Sequence, residues 1–211
     1  QPRRRQRPIM SLATPQDILD FWFGSDRSLL NEVSHIKHLF GVWFFRTNPA
    51  VETTFIAEAA QIDKLSDASS LGEEWFTAEG ILARVVMLDQ GTRTAFRGTP
   101  KAFAYDDIAK ELVLDIIQKG WFFDKYLPVE RQILCLPLLH SEDIHAHRVA
   151  SELVHRLSEG TENPELVQMF KSNVSFLAEH TQVVEKFGRY PSRNSALGRT
   201  NTPEEEEYLA S

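Results

Sequence analysis

The chain has 211 residues, 42% hydrophobic and 25% charged, a balance that fits one globular domain rather than two. A formal net charge of −7 disfavours sequence-independent nucleic-acid binding, which works by neutralising phosphates. The single cysteine, Cys135, permits no internal disulfide, and no apolar run approaches the ~20 residues that span a bilayer, so a cytoplasmic protein is expected.

The first segment is set apart by charge. Gln1 to Pro8 carries four arginines and no acid, and residues 1–13 read as a basic arm outside a single domain of residues 14–211. It is either the remnant of an organelle transit peptide, which would place the protein inside an organelle, or an arm for an acidic partner, or extra sequence ahead of Met10 with no role.

Along the rest of the chain, a capping residue recurs just before a proline: Thr14-Pro15, Asn48-Pro49, Thr99-Pro100, Asn163-Pro164 and Thr202-Pro203. Each opens a stretch of helical periodicity. The first, through Ile18, Leu19, Phe21, Trp22 and Phe23, should close at Gly24. The second follows Val51, Phe55, Ile56, Ala59, Ile62 and Leu65. Further helices are predicted over 77–90, 100–119, 128–139, 141–159, 163–187 and 203–209, with stops at Gly120 and Gly188. Pro137 should kink or end its helix around Leu138-Leu139. No Asn-Gly or Asp-Gly hairpin dipeptide appears, so the reading is all-α, with consecutive antiparallel helices on short loops. The aromatic clusters Phe21-Trp22-Phe23, Trp43-Phe44-Phe45, Trp75-Phe76 and Trp121-Phe122-Phe123 suit wedges between helices.

Phosphate loops, dinucleotide turns, nucleophile elbows, zinc-protease motifs and cysteine clusters are all missing, and no cofactor is expected. Three polar segments remain. In the first, Asp89, Gln90 and Arg93 precede Arg97, and the four-residue spacing of Asp89 and Arg93 suits a helix-end ion pair as well as a pocket wall. In the second, His140 precedes Ser141, Glu142 and Asp143. Ser141 can cap the next helix with the acids in its first turn, and His140 could act as a general base oriented by Glu142 or Asp143, although capping explains those acids equally well. His140, His145 and His147 number enough for a metal but are badly spaced, since His145 would point away from the other two, so no metal site is expected. The third is the stretch from Phe187 to Arg199, with Arg189, Arg193 and Arg199 among Gly, Pro and Ser. These arginines bind either a carboxylate or phosphate ligand, or helix carbonyls and neighbouring acids. Cys135, within Ile133-Leu134-Cys135-Leu136, reads as a buried hydrophobe.

On these residues the chain resembles the bacterial family catalogued as domain of unknown function 924. The resemblance rests on Asp17 to Phe23, Leu88-Asp89-Gln90 with Arg93, Arg97-Gly98-Thr99, Pro137 and His140-Ser141-Glu142. It continues through His180, Phe187-Gly188-Arg189, Pro191, Arg193-Asn194, Leu197-Gly198-Arg199 and Glu204-Glu205. It implies a single-domain, tetratricopeptide-like array of helices and a shared polar surface, but no reaction. The chain departs from the family pattern at Gly91-Thr92, where Phe-Pro is usual, at Thr94 for Asn, and at Ser192 for His. Two functions follow as expectations. One is a non-catalytic interaction or accessory subunit with a protein partner. The other is an enzyme or small-anion binder whose pocket gathers Asp89, Gln90, Arg93, Arg97, His140, Glu142, His180, Arg189 and Arg193 around a carboxylate or phosphate.

Overall fold

Capping chemistry sets four of the five helix starts expected where a capping residue precedes proline. Thr14, Asn48, Asn163 and Thr202 each turn a side-chain oxygen onto an amide of the first turn, and Thr14 and Thr202 complete capping boxes with Asp17 and Glu205. Each cap contributes about 1 kcal/mol. Thr99 differs. Its hydroxyl donates back to the Phe96 carbonyl, Pro100 opens only a short 3-10 turn, and the long helix expected from residue 100 begins at Asp106. The helix expected from 141 begins at Ile144, capped by Asp143; Ser141 instead accepts from the Asp143 amide.

The computed structural model describes residues 11–45 and 48–211, apart from the side chains of Phe45, Asn173, Phe176 and Leu177. Residues 1–10 of the basic arm lie outside the described residues. Leu12, placed in the arm by the sequence reading, is fully buried, so the core reaches back beyond Thr14.

The described residues form helices joined by short loops and contain no strand. The helices are α1 (Pro15–Phe23), α2 (Val33–Phe40), α3 (Pro49–Ala57), α4 (Ala59–Ser66), α5 (Ala78–Val85) and α6 (Thr92–Ala95). They continue with α7 (Asp106–Gln118), α8 (Trp121–Asp124), α9 (Pro128–His140), α10 (Ile144–Val154), α11 (Pro164–Phe187), α12 (Asn194–Leu197) and α13 (Pro203–Ala210). Gly120 and Gly188 do mark stops, with φ of 73° and 67°. None of these helices is long and apolar enough to cross a membrane.

The core is organised by two helices without a polar face. Every residue of α9 from Pro128 to Leu139 is buried, as is nearly all of α5, the pattern of helices enclosed on all sides. α7 packs on both α5 and α9, and α10 packs on α9 and α11. α9, α10 and α11 pack in chain order, but α1 crosses the sequence to pack on α5. Aromatic rings seal that end of the molecule. Trp22 and Trp43 stack with centroids 5.0 Å apart, Phe21 meets Phe55 edge-on, and the Trp43 indole donates to the Trp22 carbonyl.

Pro137 does not end α9. The helix runs on to His140, and the Ser141 amide bonds to the Pro137 carbonyl. Three more residues therefore carry His140 to the edge of the core.

Candidate functional site: a buried ionic ring at His140

The site begins with a backbone irregularity. Residues Val86–Gly91 form a π-helical turn between α5 and α6, and the wider spiral carries Asp89 into the interior, where it is 1% exposed. The helix predicted over 77–90 runs on past its expected end: Gly91 has helical angles (φ −60°, ψ −45°) and the chain continues to Ala95. A Cβ at Gly91 would stand 3.1 Å from the Phe55 ring, so packing asks for a small residue here.

Asp89 starts a closed ring of charge-assisted bonds. Its Oδ1 lies 2.7 Å from His140 Nδ1 and 2.9 Å from Arg93 Nη1. Arg93 reaches on to Asp106 in α7 as a two-pronged pair, with both contacts at 2.8 Å. Asp106 Oδ2 also accepts from Arg193 at 2.9 Å, and Arg193 Nη2 donates to the His140 carbonyl at 2.6 Å, which closes the circuit. The Gln90 side-chain amide donates a hydrogen bond to Asp89 Oδ2 at 2.5 Å. The two carboxylates and two guanidiniums cancel, so the ring is neutral while His140 is neutral.

Burial sets the protonation states. It pushes the His140 imidazole down to about 4, and the charge of Arg93 adds to it, against the opposing pull of Asp89. Burial alone would raise the Asp89 carboxyl, but Arg93, then His140, hold it well below the usual carboxylate range. For Asp106 burial prevails, and its carboxyl is raised despite the arginines. His140 is therefore neutral near pH 7 beside an ionised Asp89. Its Nδ1 carries the proton donated to that carboxylate, and Nε2 is left as an acceptor. Among the described residues no hydrogen bond engages Nε2.

His140 lines a cavity of about 420 Å³. Asp106, Asp107, Lys110, Ser141, Glu142, Asp143, Arg193 and Arg199 supply the rest of its polar wall; Pro100, Phe103, Ala104 and Leu197 supply the apolar one. Glu142 is held by Arg199 through two bonds of 2.8 Å and by the Tyr190 amide at 2.9 Å, while the Tyr190 hydroxyl donates to the Leu139 carbonyl. Arg193 lies over the rings of Phe103 and Tyr190, at 4.7 and 4.6 Å from their centroids.

Asp89, Gln90, Arg93, His140 and Arg193 thus meet in one cluster, with Glu142 on the cavity wall. His180 stands nearby, its ring 6.2 Å from that of His140. Two candidates lie elsewhere. Arg97 is exposed just past α6, where the chain has left the helix on the side of α3, and lines a small separate hollow with Trp43 and Glu52. Arg189 is drawn to the last helix, pairing twice with Glu205 and donating to the Thr200 carbonyl. The expected orienting acids are also different. Glu142 serves Arg199 and Asp143 caps α10, while Asp89, 51 positions upstream, orients His140. Asp106 and Lys110 carried no local signal, because first-turn acids and helical lysines are common in any helix. His145 is exposed, and His147, buried in α10, faces the Ser141 carbonyl and Thr181. Among the described residues no three potential ligands converge as a metal site requires. Ser192, where the family pattern has His, is exposed and off the cavity wall.

Comparison places this architecture among relatives whose roles are also open. The chain is 28% identical to a protein of unknown function from Agrobacterium tumefaciens whose structure is solved, with 92% of this chain and 96% of that one covered at a TM-score of 0.58. No curated protein matches the chain. The family described as bacterial protein of unknown function (DUF924) matches residues 18–211. With nearly its whole length matched, the chain belongs to that family.

Proposed function

We propose that this protein is an enzyme that takes a small polar molecule into the cavity beside His140 and uses His140 Nε2 as a general base. The observation that carries this reading is the Asp89–His140 pair: a neutral imidazole, aimed by a buried carboxylate, with its second nitrogen unengaged beside a cavity of about 420 Å³. A proton taken from substrate or water would rest on Nε2, and the imidazolium so formed would face the negative charge of Asp89. A base with its titration near 4 is weak, but it is fully available at neutral pH.

Structural economy alone accounts poorly for this arrangement. A buried ionic ring often contributes less stability than well-packed apolar side chains of the same volume, so its presence suits a positioning role. The interaction-subunit reading has weaker support. Leu29, Phe44, Ile56, Phe76, Tyr208 and Leu209 are exposed but spread over five elements, as scattered surface apolar residues usually are.

A thermal-shift screen of polar metabolites on the wild type and on His140→Gln tests the proposal. Compounds that stabilise the wild type should lose most of their effect on the variant; a ligand at 100 times its Kd adds roughly 2.7 kcal/mol. Hits that stabilise both proteins equally would overturn it.

A further inference from the structure

We infer that the cavity beside His140 takes a small amine-bearing compound on a short carbon skeleton, and not the carboxylate or phosphate that its arginines suggest at first sight. The inference rests on the proposed role of that cavity.

The cations of the wall are already paired. Three cations face the cavity, and each is committed: Arg193 to Asp106 and the His140 carbonyl, Arg199 to Glu142 through two bonds, and Lys110 to Asp107 at 3.2 Å. An entering anion would have to evict a protein carboxylate from one of these pairs and leave it uncompensated, exchanging one ion pair for another without gain.

The helix ends tell the same story. Two helix N-termini open on the cavity, the natural receptors for a free anion. Each carries the chain's own acids: Asp143 caps α10, while Asp106 and Asp107 in the first turn of α7 bond to arginine and lysine rather than to its amides and oppose an anion there by their charge. The C-terminal end of α9 also meets the cavity at His140, and that pole favours positive charge.

What is left to a ligand is therefore acceptor capacity. His140 Nε2 offers a lone pair, and Asp106, Asp107, Glu142 and Asp143 outnumber the three wall cations by one. An ammonium group satisfies both, since it donates up to three hydrogen bonds and supplies the missing charge. Pro100, Ala104 and Leu197 on the apolar side leave room for a few methylene groups.

The test follows the imidazole nitrogens of His140 by NMR in the full chain at fixed ionic strength, while ethanolamine or 1,4-diaminobutane is titrated in one arm and propionate or inorganic phosphate in the other. We expect the amines to shift the Nε2 resonance of His140 and raise Tm, with the anions doing neither. A response to phosphate or propionate but not to the amines overturns the amine assignment and leaves the cavity reading standing. No response in either arm at tens of millimolar overturns both. As a second measurement, Glu142→Gln frees Arg199 and removes one negative charge. Phosphate binding should then strengthen at least tenfold relative to wild type and amine binding should weaken; equal affinities for both probes in the two proteins would count against the charge argument. Asp143→Asn, which keeps the Arg199 pair out of the comparison, should weaken amine binding alone.

Discussion

Asp106 and Arg193 stand 87 positions apart in the chain and 2.9 Å apart in the fold. Their contact joins the start of α7 to the segment before α12 and closes the ring that also holds Asp89, Arg93 and His140. Because both side chains are nearly buried, each depends on the other for compensation. Removal of either one should cost about 3–5 kcal/mol. We expect Arg193→Gln and Asp106→Asn to fall in this range by denaturant unfolding, and the double variant to lose less than the sum, with a coupling of roughly 0.5–3 kcal/mol. Strict additivity would show that the ring does not act as a unit.

The imidazole of His140 makes stability depend on pH in a defined window. Unfolded, it titrates at its ordinary value of 6.5; folded, burial holds it near 4. Between these values the unfolded chain binds more protons, so stability is full above about 6.5 and falls as pH drops toward 4, by on the order of 3 kcal/mol. Asp89 stays ionised across this range and does not offset the loss. Urea unfolding of the wild type and His140→Gln at a series of pH values checks this; the variant should show a much flatter profile. The same sign applies to activity. Catalysis through a neutral His140 should be level from about pH 5 upward and fail only as the imidazole protonates.

Gly80 is fixed by packing and not by backbone angle. A Cβ there would lie 2.1 Å from the Glu74 carbonyl oxygen and 2.6 Å from the Trp75 Cα, both backbone atoms that cannot swing aside. Gly80→Ala should therefore destabilise by about 3 kcal/mol or more. Gly98 offers the contrast, since its Cβ would meet open space but its φ is +78°. Gly98→Ala should cost only about 1 kcal/mol, read as a much smaller drop in Tm.

Cys135 is fully buried in α9, and burial pushes its thiol well above the ordinary range. A thiol reagent should label the native protein only as fast as it unfolds, whereas the denatured chain reacts at once. Cys135→Ser should cost roughly 1–3 kcal/mol through its buried hydroxyl, with any activity per folded molecule unchanged. Rapid native labelling would contradict the structure.

Local chemistry was enough to read the all-α class, four proline-led helix starts and the stops at Gly120 and Gly188, because a cap or a glycine stop acts over a few residues. The same locality explains why the Asp89–Arg93 pair and the buried Cys135 were legible. Thr99-Pro100 misled because the motif admits two outcomes, and only the path of the chain toward α7 selects the 3-10 turn. The π-helical turn at Val86–Gly91, the passage of α9 through Pro137, and the crossing of α1 onto α5 depend on neighbours distant in sequence. The site shows the division most clearly. The sequence marked His140 as a possible base and pointed to nearby acids for its partner; packing assigned those acids to Arg199 and to a helix cap, and brought Asp89 across 51 positions instead. It likewise left three arginines open to a ligand or to neighbouring acids, and the fold paired each with a carboxylate of its own. Residue types state which charges exist. Only the tertiary structure decides which remain uncompensated, because a buried charge is costly unless an opposite charge or fixed hydrogen-bond partners meet it, and those come from distant parts of the chain.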